Sequence, residues 1–270
     1  MSISNMNFLE RILYLLQRYG VSYLKGAGTT LAIALVSTAI GCLIGFVVGV
    51  VQTIPVDKKR DSAAKRGLLR VVKMILKAYV ELFRGTPMIV QAVFIYYGLS
   101  QMFQIQLGMW SAAFLVVSIN TGAYMAESVR GGIISVDPGQ MEGAKAIGMT
   151  HVQAMKNVIL PQAIRNIMPQ IGNNLIINIK DTSVLSVISI VDLFFVHKSV
   201  AGALYTYFES ATIVMAIYLT MTLVTSRLLL LVEKKMDGDA NYELVDTMDI
   251  GNQLRTMSGK MTGKGDADNE

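Results

Sequence analysis

Five stretches of span length, near 28–54, 86–105, 109–127, 171–191 and 209–232, are mostly apolar. They decide the solvent. A hydrocarbon core roughly 30 Å thick is crossed by about 20 residues of α-helix, so the chain is predicted to be an all-α membrane protein with five transmembrane helices. Composition agrees: 53% of the residues are hydrophobic and only 16% charged, with a mean hydropathy of +0.48, too apolar for a water-facing surface. The first run is too long and begins too late for a cleavable signal peptide, and is expected to stay in the mature protein. The single cysteine, Cys42, lies inside it, which leaves neither a disulfide framework nor a thiolate metal site to consider.

Charge sets the expected orientation. Lys58, Lys59, Arg60, Lys65, Arg66, Arg70, Lys73 and Lys77 crowd the segment between the first two runs, against Asp57 and Asp61. Short loops this basic stay cytoplasmic. With five spans the amino terminus then lies outside and the carboxyl terminus inside, and Arg130, Lys145, Lys156, Arg165, Arg227, Lys234 and Lys235 fall on the same side. Arg11, Arg18 and Lys25 count mildly against this. Residues 1–25 carry Phe8, Ile12, Leu15, Leu16 and Tyr19 at helical spacing, expected as an amphipathic interfacial segment or a packed peripheral helix. Residues 26–236 form the membrane domain. The tail 237–270 holds eight acids and three bases without apolar periodicity, and reads as acidic and disordered.

Within the runs, Gly41, Gly45 and Gly49 line one face of the first helix, a pattern that lets two backbones approach closely in lipid. In the third run Asn120, Tyr124 and Glu127 share a face; in the fourth Asn174, Asn178 and Asp181 do, beside Lys180, Thr182 and Ser183. Such groups are costly in hydrocarbon, so they face a bundle interior or a watery cavity. A solute pathway built from Asn120, Tyr124, Glu127, Asn178, Lys180, Asp181, Thr182 and Ser183 competes here with a structural polar network. Lys180 and Asp181 stand about 100° apart on a helix and cannot both enter one narrow cleft without distortion. No catalytic or metal-binding constellation is visible. The two histidines, His151 and His197, lack thiol or carboxylate company, and "GNQLRTMSGK" is no phosphate loop, since Leu254 and Met261 occupy its key positions.

Between the third and fourth runs lies "QMEGAKAIGMTHVQAMKNVILPQAIRNIMPQ", residues 140–170. Its spacing predicts a short helix over 141–147, a reversal at Gly148, an N-cap at Thr150, and a second helix over 151–159 that Pro161 ends. Val152, Met155, Val158 and Ile159 form an apolar stripe suited to a partner groove, or to packing on the chain's own bundle.

The segment "EGAKAIGMTHVQAMKNVILP" resembles the EAA loop of permease subunits in ATP-binding-cassette importers. Glu142, Ala144, Gly148, Val158, Leu160 and Pro161 fall on the family's pattern, and Gly143 departs from its second alanine. "AYVELFRGTPMIVQAVFIYYGL", "GAYMAESVRGGI" and "IGNNLIINIKDTSVLSVI" are similar to permeases for polar amino acids such as glutamine, histidine, arginine, glutamate or cystine. Together the likeness covers most of residues 26–232. It implies the type I importer permease fold, with the EAA loop at about 140–161, in the cytoplasmic membrane of a bacterium. It implies no cofactor in this chain: ATP and Mg are bound by a separate ATPase subunit, present in two copies. The implied partners are that ATPase, a second permease as homodimer or heterodimer, an extracytoplasmic solute-binding protein, the bilayer and a polar amino acid, with no nucleic acid. The loop residues Glu142, Ala144, Gly148, His151 and Pro161 would couple to the ATPase. An ion-coupled secondary transporter would also use the intramembrane charges but not a docking loop. A non-transporting scaffold would use the loop but not the polar stripe.

Overall fold

The computed structural model describes residues 6–56 and 62–237; the bases at 58–60 and almost all of the acidic tail lie outside them. Eight helices carry the described chain, without strands: α1 Phe8–Thr53, α2 Ala63–Gly85, α3 Met88–Phe103, α4 Met109–Ile134, α5 Pro138–Ala146, α6 His151–Ile188, α7 Leu193–Leu204 and α8 Tyr207–Asp237. The first compact unit runs Met1–Glu233. Of the second, Lys234–Glu270, only the helical residues through Asp237 are described.

α1, α4 and α8 are each long and apolar enough to cross a bilayer. A fourth crossing forms if α6 and α7, bent by 54° at the break between them, make one span, and α3 is a shorter apolar helix. Each of the five apolar runs thus has a helix. α1 holds 46 residues, so at 1.5 Å per residue it is about 70 Å long and overreaches the hydrocarbon core. No break separates its amino-terminal third from the span. That third is packed: Leu15 and Tyr23 are fully buried in a core shared with Val196 and Val200 of α7 and Ile213 of α8, with Ile12 and Tyr19 against it.

The glycine row of α1 is the seam with α4. A β-carbon on Gly41 would stand 2.6 Å from Thr121 Cβ, on Gly45 2.3 Å from Met125 Cβ, and on Gly49 2.7 Å from Val129 Cβ. Nothing larger than hydrogen fits there. Small residues at this spacing replace the hydrophobic drive that lipid cannot supply between helices. A second core joins Ile33, Ala113 and Val117 to Leu185 and Ile188, and a third joins Met125, Val129 and Ile133 to Ile159, Ala163 and Ile167. Together they clamp α6 along α1 and α4.

Candidate functional site

The polar interlude is a capped helix-turn-helix. Asp137 starts α5 by accepting the Gly139 N–H at 2.6 Å, with Pro138 in the first turn, where its missing N–H is not needed. α5 ends on Gly148 at φ +87°. The Gly148 N–H donates to Lys145 O and the Met149 N–H to Ala144 O, both at 3.0 Å. This pair of bonds is the Schellman closure, whose left-handed position favours glycine. Thr150 then caps α6 reciprocally: the Gln153 N–H reaches Thr150 Oγ1 at 3.4 Å, and the Thr150 N–H reaches Gln153 Oε1 at 2.9 Å.

Pro161 does not end the second helix. The backbone widens into a π turn over Met155–Ile159, where the Leu160 N–H reaches back to Met155 O, and continues as α-helix to Asp181. A proline lacks an N–H and crowds the preceding turn; one wide turn in front of it absorbs both faults. The expected apolar stripe is also divided. Ile159 is buried and Met155 and Val158 pack on the bundle core, whereas Val152 is 73% exposed and Ile147, beside the turn, 77% exposed. Ala144 is buried and Glu142, Gly148 and Pro161 are exposed. His151 is half-buried and helps line a cleft of about 440 Å³ with Gln52 at the end of α1, Pro55 just beyond it, Arg130 of α4 and Lys145 of α5. The turn therefore sits at the end of the bundle where α1 and α4 finish.

The α4 face holds the end of α2. Asn120 Nδ2 donates to Phe83 O at 3.2 Å and to Gln91 Oε1 at 3.0 Å. Gln91 Nε2 in turn donates to Phe83 O and Thr86 O, each at 3.0 Å. These bonds satisfy carbonyls left open where α2 stops before Pro87. One turn on, the Arg84 guanidinium lies 5.5 Å from the Tyr124 ring centroid and 3.7 Å from Glu127. Glu127 also accepts from Arg130. Its partners are thus two arginines, one from the end of α2 and one from its own helix. Around them Gln52, Lys73, Lys77 and Glu81 complete a cleft of about 400 Å³. Arg84 and Gln91 escaped residue-by-residue reading; an arginine two residues before Thr-Pro, at the edge of an apolar run, is the signal that marks them.

On α6 the polar residues separate. Asn178 is buried, donating to Thr38 Oγ1 at 2.7 Å and Thr121 Oγ1 at 2.9 Å, and buried Thr182 donates to Ile179 O at 3.1 Å. Asn174 is buried too, its amide donating to Gln170 O at 2.9 Å. These are interhelical and local ties. Lys180 and Asp181 are exposed. Lys180 and Ser183 line a cavity of about 370 Å³ facing α7 and α8, which Asp181 does not line. Among the described residues the expected pathway residues divide: Asn120, Tyr124 and Glu127 gather against α2, Lys180 and Ser183 against α7 and α8. His197, which no sequence pattern tied to a site, belongs to the second group.

Residues 62–238 match the model of the binding-protein-dependent transport system inner membrane component family. The nopaline transport permease NocM of Agrobacterium fabrum is 38% identical over 219 residues, spanning 78% of this chain and 86% of that protein. The arginine transport permease ArtQ of Bacillus subtilis is 34% identical, spanning 80% and 93%. The Escherichia coli glutamine transport permease GlnP is 33% identical, spanning 79% and 92%. A solved amino acid ABC transporter with histidines superposes with a TM-score of 0.73 at 35% identity, over 86% of this chain and 99% of that one. The methionine transporter MetNI, at 19% identity and a TM-score of 0.67, shares the fold. The chain therefore belongs to the binding-protein-dependent transport inner-membrane family, among the permeases of amino-acid ABC transporters.

Proposed function

We propose that the chain is the membrane pathway of an ATP-driven importer that carries a polar amino acid into the cytoplasm. Two permease subunits, identical or related, enclose the path, two ATPase subunits bind ATP and Mg, and an extracytoplasmic binding protein delivers the solute. The observation that carries this reading is the continuity of α6. It begins in the exposed turn and passes Pro161 without interruption. It reaches Lys180 twenty-nine residues on. A push on Glu142, Ile147 or Val152 is thereby delivered to the middle of the bundle as a rigid-body displacement, the kind of motion that alternating access requires. Exposed Ile147 and Val152 supply the apolar contact, and Glu142 the charge, for a groove on the ATPase. The nopaline, arginine and glutamine systems named among the relatives favour a polar, nitrogen-rich solute.

Charge reversal at this contact is the direct test. Glu142→Lys leaves an unpaired charge against the partner, a loss of about 2–5 kcal/mol when such a pair is buried. ATP-dependent uptake and co-purification with the ATPase are expected to fall roughly 30-fold or more, with membrane insertion unchanged. Uptake and co-purification at wild-type levels would remove Glu142 from the contact.

The orientation is tested separately. The five-span reading places the amino terminus outside and the carboxyl terminus inside. In a Cys42→Ser background, cysteines introduced at Lys65 or Thr150 are expected to resist an impermeant thiol reagent in intact cells and to react after permeabilisation. Labelling of either position from outside reverses the topology.

A further inference from the structure

We propose that α2 is a membrane-surface helix whose basic stripe holds the headgroups of anionic phospholipids in the cytoplasmic leaflet. The proposal goes beyond the transport reading and takes from it only the cytoplasmic placement of this end of the bundle. From Ala63 to Lys77 the sequence holds five bases and no acid. Arg66, Arg70, Lys73 and Lys77 recur every three or four residues and so share one face of the helix. Leu68, Val71, Ile75 and Leu82 line a second face, and all four are exposed. A third face, through Leu76, Tyr79 and Val80, packs on Ile44 and Val48 of α1 and Ala126 of α4. The bundle thus accounts for one side of α2 and leaves two others, one apolar and one basic.

That division suits a helix at a bilayer surface, its apolar flank in the acyl boundary and its bases toward the headgroups. The level of α2 is set by α1. Lys73 Nζ donates to Ile54 O at 2.5 Å, a carbonyl just past the last residue of the α1 helix. Lys73 therefore stands where the hydrocarbon gives way to headgroups. The apolar flank from Leu68 to Leu82 runs about 20 Å beside a span that is itself in the bilayer, which makes lipid its occupant. Bases in the opening turns also oppose the helix dipole, whose amino-terminal end favours negative charge. A negatively charged leaflet answers both the dipole and the row of cations. Toward the other end of the helix Lys77 pairs with Glu81 at 3.5 Å, but both side chains are exposed and so exchange readily with a phosphate.

The test uses the complete transporter in nanodiscs of mixed phosphatidylcholine and phosphatidylglycerol. In a Cys42→Ser background a fluorophore is attached through Leu68→Cys, an exposed position, and acyl-brominated forms of the two lipids serve in turn as quenchers. Brominated phosphatidylglycerol is expected to quench roughly fivefold more efficiently than brominated phosphatidylcholine at equal mole fraction, less so at high salt. Arg70→Gln with Lys77→Gln, both at exposed positions, should cut that preference to about twofold or less, while Arg70→Lys with Lys77→Arg keeps it. Equal quenching by the two lipids, or a preference that the neutralised pair retains, overturns the site. A fluorophore that neither lipid quenches means that protein covers the apolar flank, and overturns it as well. A nanodisc has no inside, so these outcomes are independent of the orientation, which labelling of the cysteine introduced at Lys65 in intact cells decides separately.

Discussion

Replacing Gly148 by valine should cut ATP-dependent uptake by at least about tenfold, with the protein still inserted in the membrane. The cause is conformational rather than steric. A β-carbon at Gly148 meets nothing within 4 Å, but its φ of +87° lies in the left-handed region. A β-branched residue held there costs roughly 1–3 kcal/mol. The turn relieves that strain by breaking the Gly148 and Met149 hydrogen bonds to α5, which swings α5 and Glu142 away from the start of α6. Because space is free, Gly148→Asn, which tolerates this region, should keep most of the activity, with Gly148→Ala between the two. Equal losses in asparagine and valine variants would point to a direct contact of the glycine with a partner.

Gly45→Ala should fail earlier, at the level of the folded subunit. Its new methyl would lie 2.3 Å from Met125 Cβ and 2.8 Å from Ala126 N, an atom of backbone that cannot rotate away. Forcing α1 from α4 costs about 1–3 kcal/mol by overpacking. The seam also aligns Thr38 and Thr121 with Asn178, so opening it leaves buried polar groups unpaired. The melting temperature and the yield of assembled complex should drop together. Gly20→Ala in the same helix, where a β-carbon meets nothing within 4 Å, should be neutral or stabilising by about 0.5–1 kcal/mol. Comparable losses at both glycines would make the seam ordinary helix propensity.

What could be read from the residues alone was mostly what local chemistry determines. Gly148 and Thr150 announce a reversal and a cap because both act on the backbone within a few residues. The i, i+4, i+7 spacing of Asn120, Tyr124 and Glu127 gives their common face, but periodicity says nothing of what lies opposite. The partner is the end of α2, with Arg84, which sits more than thirty residues away. Pro161 misled for the opposite reason: a proline is a strong local stop, and a single π turn in front of it cancels the signal. Lys180 and Asp181 were separable, since consecutive residues on a helix diverge by about 100°. His197 was not, because its neighbours come from α6 and α8.

The central claim is that this chain turns ATP hydrolysis on another subunit into movement of an amino acid through itself. The most direct measurement is accumulation of a labelled amino acid by proteoliposomes that hold the complete complex, with ATP supplied on the ATPase side and the membrane potential and ion gradients collapsed. Accumulation that requires ATP, and that Gly148→Val abolishes while Gly148→Asn preserves it, is the predicted result. Accumulation driven by an ion gradient without ATP, or none under any condition from a fully assembled complex, would contradict it.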